Sequence, residues 1–429
     1  MRILHFSDIH IGVENYGRAA TEADLANLPT TFAPGIPREE YLGFSTRLLD
    51  FLAIFDEIVE YAITKSIDLV LFAGDAYRSR DPSQTHQREF ARRVSTLVAN
   101  GIPVFLLVGN HDIPQAQGRA TSLEIFPTLQ VPLVQVGGKI GVHVVETKTG
   151  KLQILALPWI RRGELFSRQD QKGRSVDDIT LSLERLLASQ LETEAQTLDP
   201  TIPTILTGHA TVSGALTSSE RSMMLGRDYV LSREDLALPQ IDYVALGHIH
   251  KHQALGDSPP IIYSGSLQRV DFSEENDIKG FCLIEIDEKA KPGKRAKWEF
   301  IPVDARTFST IKIVIPSGDE DPTQTVLDEI QHHHTQGNVV RLHLTLPSDL
   351  VSKIDERKIR ESLASSFFVT PFIKEWIRDN RTNRKATPNG MGPNEALRIY
   401  LETHNSIGKA QRNKAIRLGN EMIEEQLGK

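Results

Sequence analysis

The sequence predicts a mixed α/β protein, α+β in its later part, on three observations. Apolar strands alternate with helix-period segments over the first ~110 residues. Residues 131–158 then hold short strands with few helices between them. After about residue 306 a strand–helix alternation starts again. The 429 residues exceed one ordinary core and imply two or three domains.

Residues 1–7 read as a first strand, followed by a loop with Asp8 and His10. The stretch from Glu14 to Ser45 is rich in Pro, Gly, Thr and charge. It exceeds the usual ceiling of about 12–15 residues for a structureless connection. Leu48, Leu52, Phe55, Ile58, Val59 and Ala62 then recur at helical spacing within 47–63. The run 67–73 is a buried strand that ends at Gly74-Asp75. Residues 83–100 form a helix stopped by Gly101, and 102–108 a strand that ends at Gly109-Asn110-His111-Asp112.

Short strands fill 131–158, and 175–194 is a helix. Strand 204–207 ends at Gly208-His209, and strand 243–246 at Gly247-His248-Ile249-His250. Residues 260–269 and 280–286 read as strands paired with each other, and 297–303 as one more. The charged run 288–295 is a turn. From 308 onward, strands at 308–315, 339–346 and 367–375 enclose helices at 323–334 and 356–365, a small β-α-β-α-β unit. Residues 379–393, with Asn389, Gly390, Gly392 and Pro393, read as a linker, and 394–403 and 409–427 as closing helices.

Hydrophobic residues make up 40% and charged residues 24%, a globular rather than disordered balance. No stretch approaches the roughly 20 apolar residues that span a bilayer. The N-terminus lacks the apolar core and cleavage site of a signal peptide. A single cysteine, Cys282, excludes an internal disulfide framework and cysteine-rich zinc sites, and points to a cytoplasmic protein. The net charge of −7 argues weakly against a nucleic-acid binder, although divalent metals can supply positive charge locally.

Five strand ends carry metal-binding residue types: Asp8-x-His10, Gly74-Asp75, Gly109-Asn110-His111-Asp112, Gly208-His209 and Gly247-His248-x-His250. Ligand sites of α/β sheets form at that carboxyl edge. If the backbone stays extended, Asp8 and His10 point the same way, as do His248 and His250. The glycines permit sharp turns and close approach. Asp8-x-His10 and Gly74-Asp75 alone have a bland reading as a cap or turn, whereas nothing in folding needs Gly109-Asn110-His111-Asp112; five motifs in order, each after a strand, have no bland reading together. The donors are carboxylate, carboxamide and imidazole without thiolate, which suits manganese, iron or magnesium rather than structural zinc. One aspartate can bridge two ions that activate a water and clamp a phosphoryl group, and His111 is free to protonate the leaving oxygen. Other histidines are set aside. His332-His333-His334 sits at a helix end and complements the dipole. His5 and His143 fall within strands, His86 begins a helix, and His252 is left open.

These motifs resemble the calcineurin-like metallophosphoesterase superfamily. Within it the chain is similar to the SbcD family of nuclease subunits, through 1–12, 73–82, 108–112 and the stretch Tyr263-Ser264-Gly265-Ser266-Leu267-Gln268-Arg269-Val270-Asp271-Phe272 with Glu274 and Glu275. The resemblance covers about residues 1–305 well and the remainder in outline. It implies a β-sandwich flanked by helices at 1–305, a capping domain at 306–378, a linker at 379–393 and, at 394–429, helices that dock on an SbcC-like ATPase. It implies one ion on Asp8, His10, Asp75 and His250, and another on Asp75, Asn110, His209 and His248. Asp75 would bridge, His111 would act as acid, and Asp112 would orient the His111 loop. It implies two Mn2+ (or Mg2+ or Fe2+), 3′-to-5′ exonuclease and endonuclease activity on DNA, and a homodimer within a heterotetramer.

One departure matters. Many relatives carry His or Asp three residues after the bridging Asp, where this chain has Arg78, followed by Arg80. An arginine cannot act as a base, but it can fork onto a phosphate. Independently of the resemblance, Ile416, Leu418, Met422, Ile423 and Leu427 form an apolar stripe that serves either a partner or the chain's own domain. The rival readings are a phosphatase or cyclic-nucleotide phosphodiesterase on the same scaffold, and a scaffold protein without catalysis. The filled ligand positions count against the last.

Overall fold

The computed structural model describes residues 1–28, 31–32, 35–116, 118–161, 173–218, 228–377, 393–403 and 409–426. It is organised by two six-stranded sheets. In chain order the main elements are β1 (Arg2–Phe6), α1 (Thr46–Thr64), β2 (Leu69–Phe72), α2 (Gln84–Ala99), β3 (Val104–Leu107), β4 (Val134–Gly137), β5 (Gly141–Thr147), β6 (Gly150–Leu157), α3 (Val176–Ala195), β7 (Thr204–His209), β8 (Tyr243–Gly247), β9 (Gln253–Asp257), β10 (Pro260–Tyr263), β11 (Gly280–Ile286) and β12 (Ala296–Pro302). The first sheet runs β12-β11-β1-β2-β3-β4 and the second β9-β10-β8-β7-β6-β5.

The apolar runs of the central strands are continuous because both faces are buried. Ile3, Leu69, Leu71, Phe105 and Leu107 of the first sheet share a core with Leu152, Ile154, Ile205, Tyr243, Ala245 and Ile262 of the second. Their neighbours face the other way. Leu4, Phe6, Val70, Phe72 and Leu106 pack on Leu52, Phe55 and Ile58 of α1 and on Phe90 and Val94 of α2. Leu155, Leu206, Val244 and Leu246 pack on Leu183, Leu187 and Leu191 of α3. Period-2 alternation thus splits each strand between sheet-on-sheet and helix-on-sheet cores, giving a helix-flanked sandwich. Each fully buried leucine here contributes about 1.5–3 kcal/mol.

Helix starts follow local chemistry. Ser83 caps α2 by accepting from the His86 amide, and Ser175 forms a capping box with Asp178 at α3. The 14–45 segment is packed rather than open. It holds a helical turn at Glu22–Ala26 and a 3₁₀ turn at Arg38–Tyr41, and buried Tyr41 donates to Glu89 of α2 at 2.9 Å.

One expected pairing is corrected. Residues 260–263 and 280–286 lie in different sheets. β10 pairs with β8 and β9, and β11 pairs with β1 and β12. When both faces of a strand are buried, its pattern names no partner.

β13 (Phe308–Val314), α4 (Pro322–Gln331), β14 (Val339–Pro347), α5 (Glu356–Ser362), β15 (Phe368–Val369) and β16 (Ile373–Ile377) follow, then α6 (Pro393–Thr403) and α7 (Lys409–Gln426). Their strands form a four-stranded sheet with β14 between β13 and β15 and also paired to β16. The chain divides into two compact units, 1–313 with 323–343 and 355–373, and 314–322 with 344–354 and 374–429. In the second unit α6 and α7 pack together, with Gly419 against Leu397. Leu418 and Met422 are exposed, whereas Ile416 and Ile423 are half-buried. Residues 379–392 of the expected linker, and Leu427, lie outside the described residues. Among the described residues no helix is long and apolar enough to cross a membrane.

Candidate metal centre

The parallel strands β1, β2, β3, β7 and β8 deliver their carboxyl ends to one edge of the sandwich, where backbone and side-chain hydrogen bonds stitch the loops together. The Asp8 amide donates to the Gly74 carbonyl at 2.9 Å. The His248 amide donates to the Asp8 carboxylate at 3.0 and 3.2 Å. The His209 ring reaches across to the Ala73 carbonyl at 2.8 Å. Gly74 has φ +101°, and a side chain there would strike His209; one at Gly109 would strike Asp75. Both positions require the smallest residue.

The extended-backbone explanation for the paired motifs is overturned. Asp8 (φ 52°), His10 (49°), Asp75 (62°) and His248 (92°) all have left-handed backbone. Such conformations cost non-glycine residues on the order of 1–3 kcal/mol each. The side chains converge because the loops are bent and held by neighbours, not because a strand continues.

The candidate donors form two groups that share Asp75. In the first, His10 Nε2 lies 3.0 Å from His250 Nε2, 3.9 Å from Asp8 Oδ1 and 3.8 Å from Asp75 Oδ2, and His250 Nε2 lies 4.0 Å from Asp8 Oδ1. In the second, His209 Nε2 lies 3.3 Å from Asp75 Oδ2 and 3.0 Å from Asn110 Oδ1, and Asn110 Oδ1 lies 3.1 Å from His248 Nδ1. All are buried except Asn110, which is half-buried.

These residues fit divalent metal ions. Donors around an octahedral ion with bonds of about 2.1 Å stand about 3.0 Å apart when adjacent and about 4.2 Å apart when opposite. The distances fall in that range. The tautomers also fit. His250 Nδ1 donates to Glu274 at 2.8 Å and His209 Nδ1 to Ala73, which leaves each Nε2 lone pair facing inward. Burial, and then the adjacent His250, hold His10 well below the usual imidazole range, so its ring is neutral. Burial opposes a charge on His209, but the Asp75 carboxylate outweighs it and lifts that ring to about 9. The field that favours an imidazolium there also favours a metal cation.

His111 stands beside both groups. Its amide donates to Asp75 Oδ1 at 2.7 Å, and its Nδ1 donates to the Arg78 carbonyl at 2.8 Å. Its ring lies 5.0 Å from that of His10. Asp112 is fully buried and accepts from the amides of Asp75 (2.9 Å), Ala76 (3.0 Å) and Gly109 (2.9 Å), clipping the second loop to the third. A groove of about 1170 Å³ opens next to Asn110 and His111, lined by Arg78, Arg80 and Arg119 among others. Arg80 and Arg119 are exposed.

Sequence reading missed three neighbours. Trp159 walls the second group, its ring 5.0 Å from His248. Glu274 and Lys279, both buried, form a 2.6 Å ion pair behind His250. Glu274 had its signal in the stretch 263–275, which matched a known pattern without evident chemistry; Lys279 lies beyond that stretch. The histidines set aside lie elsewhere. His5 contacts the Tyr243 hydroxyl, His252 stacks on Phe300, His143 packs edge-on to Phe105, His86 meets Glu14, and His333 meets Glu329.

Residues 1–252 match the family model described as calcineurin-like phosphoesterase, and the chain belongs to that family. It is a metal-dependent phosphoesterase. Among curated proteins it is 27% identical over 315 residues to the SbcD subunit of the SbcCD nuclease of Rhodobacter capsulatus, covering 68% of each chain. It is 26% identical over 309 residues to the SbcD protein of Bacillus subtilis, covering 70% of this chain and 68% of that one. The SbcD protein of Staphylococcus saprophyticus is 25% identical over 353 residues, covering 81% and 80%.

Proposed function

We propose that this chain is the nuclease subunit of an SbcCD-type complex, a two-metal phosphodiesterase that cuts DNA by 3′-to-5′ exonuclease and endonuclease action. The observation that carries the reading is the pair of donor groups sharing one carboxylate, Asp75, with His111 beside them and an arginine-lined groove adjoining. Similarity to SbcD proteins supports the choice of DNA over smaller esters.

In this reading Asp8, His10, Asp75 and His250 hold one ion, and Asp75, Asn110, His209 and His248 the other. The nitrogen and oxygen donors favour Mn2+, with Mg2+ or Fe2+ as alternatives. Two such ions supply an activated water and a clamp on the phosphoryl oxygens. The chain does the rest. Glu274 and the Ala73 carbonyl orient His250 and His209. Asp112 holds the Asp75 and Asn110 loops at a fixed separation. The Arg78 carbonyl accepts from His111 Nδ1 and fixes the ring, so that Nε2 faces the leaving oxygen; the ring would have to take up a second proton at Nε2, as imidazolium, before giving it to that oxygen. Arg78 and Arg80 receive flanking phosphates.

The residues from 306 to 378 act as a cap that selects DNA shape. The helices at 394–429 dock on an SbcC-like ATPase, and the chain works as a homodimer within a heterotetramer in the cytoplasm. The exposed Leu418 and Met422 support the docking role.

The test is manganese-dependent digestion of a linear DNA duplex beside bis(p-nitrophenyl) phosphate. Digestion of both is expected. Turnover of the chromogenic ester with DNA left intact would move the reading to small phosphate esters.

A further inference from the structure

We propose that Glu274 is a positioning residue for the first metal site, acting through the imidazole of His250. This rests on the reading of His250 as a ligand. Glu274 lies 24 residues beyond His250, in a segment without ligand chemistry of its own. It is fully buried. One carboxylate oxygen accepts from His250 Nδ1 at 2.8 Å. The other accepts from Lys279 Nζ at 2.6 Å, from the Val270 amide at 3.2 Å and from Ser266 Oγ at 3.3 Å.

Two features separate this from an ordinary buried ion pair. The first is the partner it gives His250. His209 and His111 donate to backbone carbonyls, whereas His250 donates to a carboxylate. A carboxylate makes the opposite ring nitrogen a stronger donor to metal and fixes the ring's rotation. The second is the rigidity of its mount. Arg269 bridges the carbonyls of Glu275, Asp277, Ala305 and Arg306 at 2.8–3.3 Å. Glu275 takes both the amide and the hydroxyl of Thr310 at 2.6 Å. Lys279 also donates to the His250 carbonyl at 3.1 Å, so one cation fixes both the carboxylate and the backbone of the residue it orients. A mere staple would not need its second oxygen aimed at an imidazole.

The consequence is an asymmetry between the sites. The site of Asp8, His10 and His250 depends on Glu274, and the site of Asn110, His209 and His248 does not. Calorimetric titration with Mn2+ and a melting curve on the full chain test this in Glu274→Gln, in the double variant Glu274→Gln/Lys279→Met, and in His250→Ala. The unaltered protein is expected to bind two ions. Glu274→Gln is expected to weaken one of them by about 10–100-fold and leave the other. It also leaves Lys279 without its nearest carboxylate, which lowers the melting temperature. The double variant removes that stranded charge, so it should regain melting temperature but not metal affinity. His250→Ala should lose the same ion. Two tight ions in Glu274→Gln, or recovery of affinity in the double variant, would overturn the positioning role while a one-ion loss in His250→Ala keeps the ligand assignment. Two tight ions in His250→Ala would overturn both.

Discussion

Asp112 bonds to backbone amides of the site's loops rather than to the candidate donor atoms, yet replacing it with asparagine should disturb both metal sites. Its Oδ2 accepts from the amides of Asp75 and Gly109, each at 2.9 Å, and its Oδ1 accepts from the amide of Ala76 at 3.0 Å. An asparagine can place its oxygen at one of those positions only. With the oxygen at Oδ2, its NH2 group faces the Ala76 N–H and strands it. A buried amide left without an acceptor costs about 1–3 kcal/mol. The two retained bonds lose their charge assistance, about 1 kcal/mol each. Against this, burial and the neighbouring Asp75 push the Asp112 carboxyl above the usual carboxylate range, so removing the charge relieves repulsion. The net expectation is a loss of about 2–4 kcal/mol in Asp112→Asn.

The functional loss follows from geometry. Asp112 ties the backbone of Asp75 to that of Gly109, the neighbour of Asn110, and slack between those loops moves donors of both sites. Urea unfolding of the metal-free variant measures the first effect, and manganese titration the second. Both ions should weaken together, by about 10–100-fold. A variant that loses less than about 1 kcal/mol and binds both ions normally would refute the reasoning, since the clip would then be redundant.

Three further outcomes are expected. His111→Gln should retain both ions and lose about 10²–10⁴-fold in DNA cleavage, as for a lost general acid; loss of an ion on metal analysis would make His111 a ligand. Arg80→Ala and Arg119→Ala should weaken DNA binding and reduce its logarithmic salt slope by about 1 for each phosphate no longer neutralised, with hydrolysis of bis(p-nitrophenyl) phosphate unchanged. Deleting 394–429 should leave manganese-dependent cleavage of short single-stranded DNA intact, because every candidate ligand precedes residue 251, and should abolish pull-down of the ATPase. An intact pull-down with a lowered melting temperature would make those helices structural.

The candidate donors were legible because chemistry was concentrated at one topological place. Asp8, Asp75, Asn110, His209 and His248 each stand at or just beyond the carboxyl end of a strand. A linear sequence shows such strand ends when the strands are short, apolar and closed by glycine. Glu274 was hidden for the opposite reason. It reaches the site from a 3₁₀ turn at Phe272–Glu274 between the two sheets' strands β10 and β11, and nothing periodic marks a residue that supports another. The partner of β10 was hidden because strands buried on both faces carry no register signal.

The backbone strain was hidden as well, and it bears on how the site works. Aspartate and histidine at positive φ look in sequence like any other aspartate and histidine. Yet Asp8, His10, Asp75 and His248 hold that conformation in a region where the described backbone is tied down on every side: Asp8 by Gly74, His10 by the Asp75 carbonyl at 3.2 Å, Asp75 by Asp112 and His248 by Asp8. Each anchor is itself a member of the site or a neighbour of one. The strained residues therefore brace one another, and no donor can relax without releasing the next. That arrangement explains how two carboxylates, the Asn110 carboxamide and four imidazoles can be held in a chain of contacts of 3.0–4.0 Å in a buried place. It also implies that the free energy of binding a cation is spent little on assembling the loops, because folding of the sandwich has assembled them already.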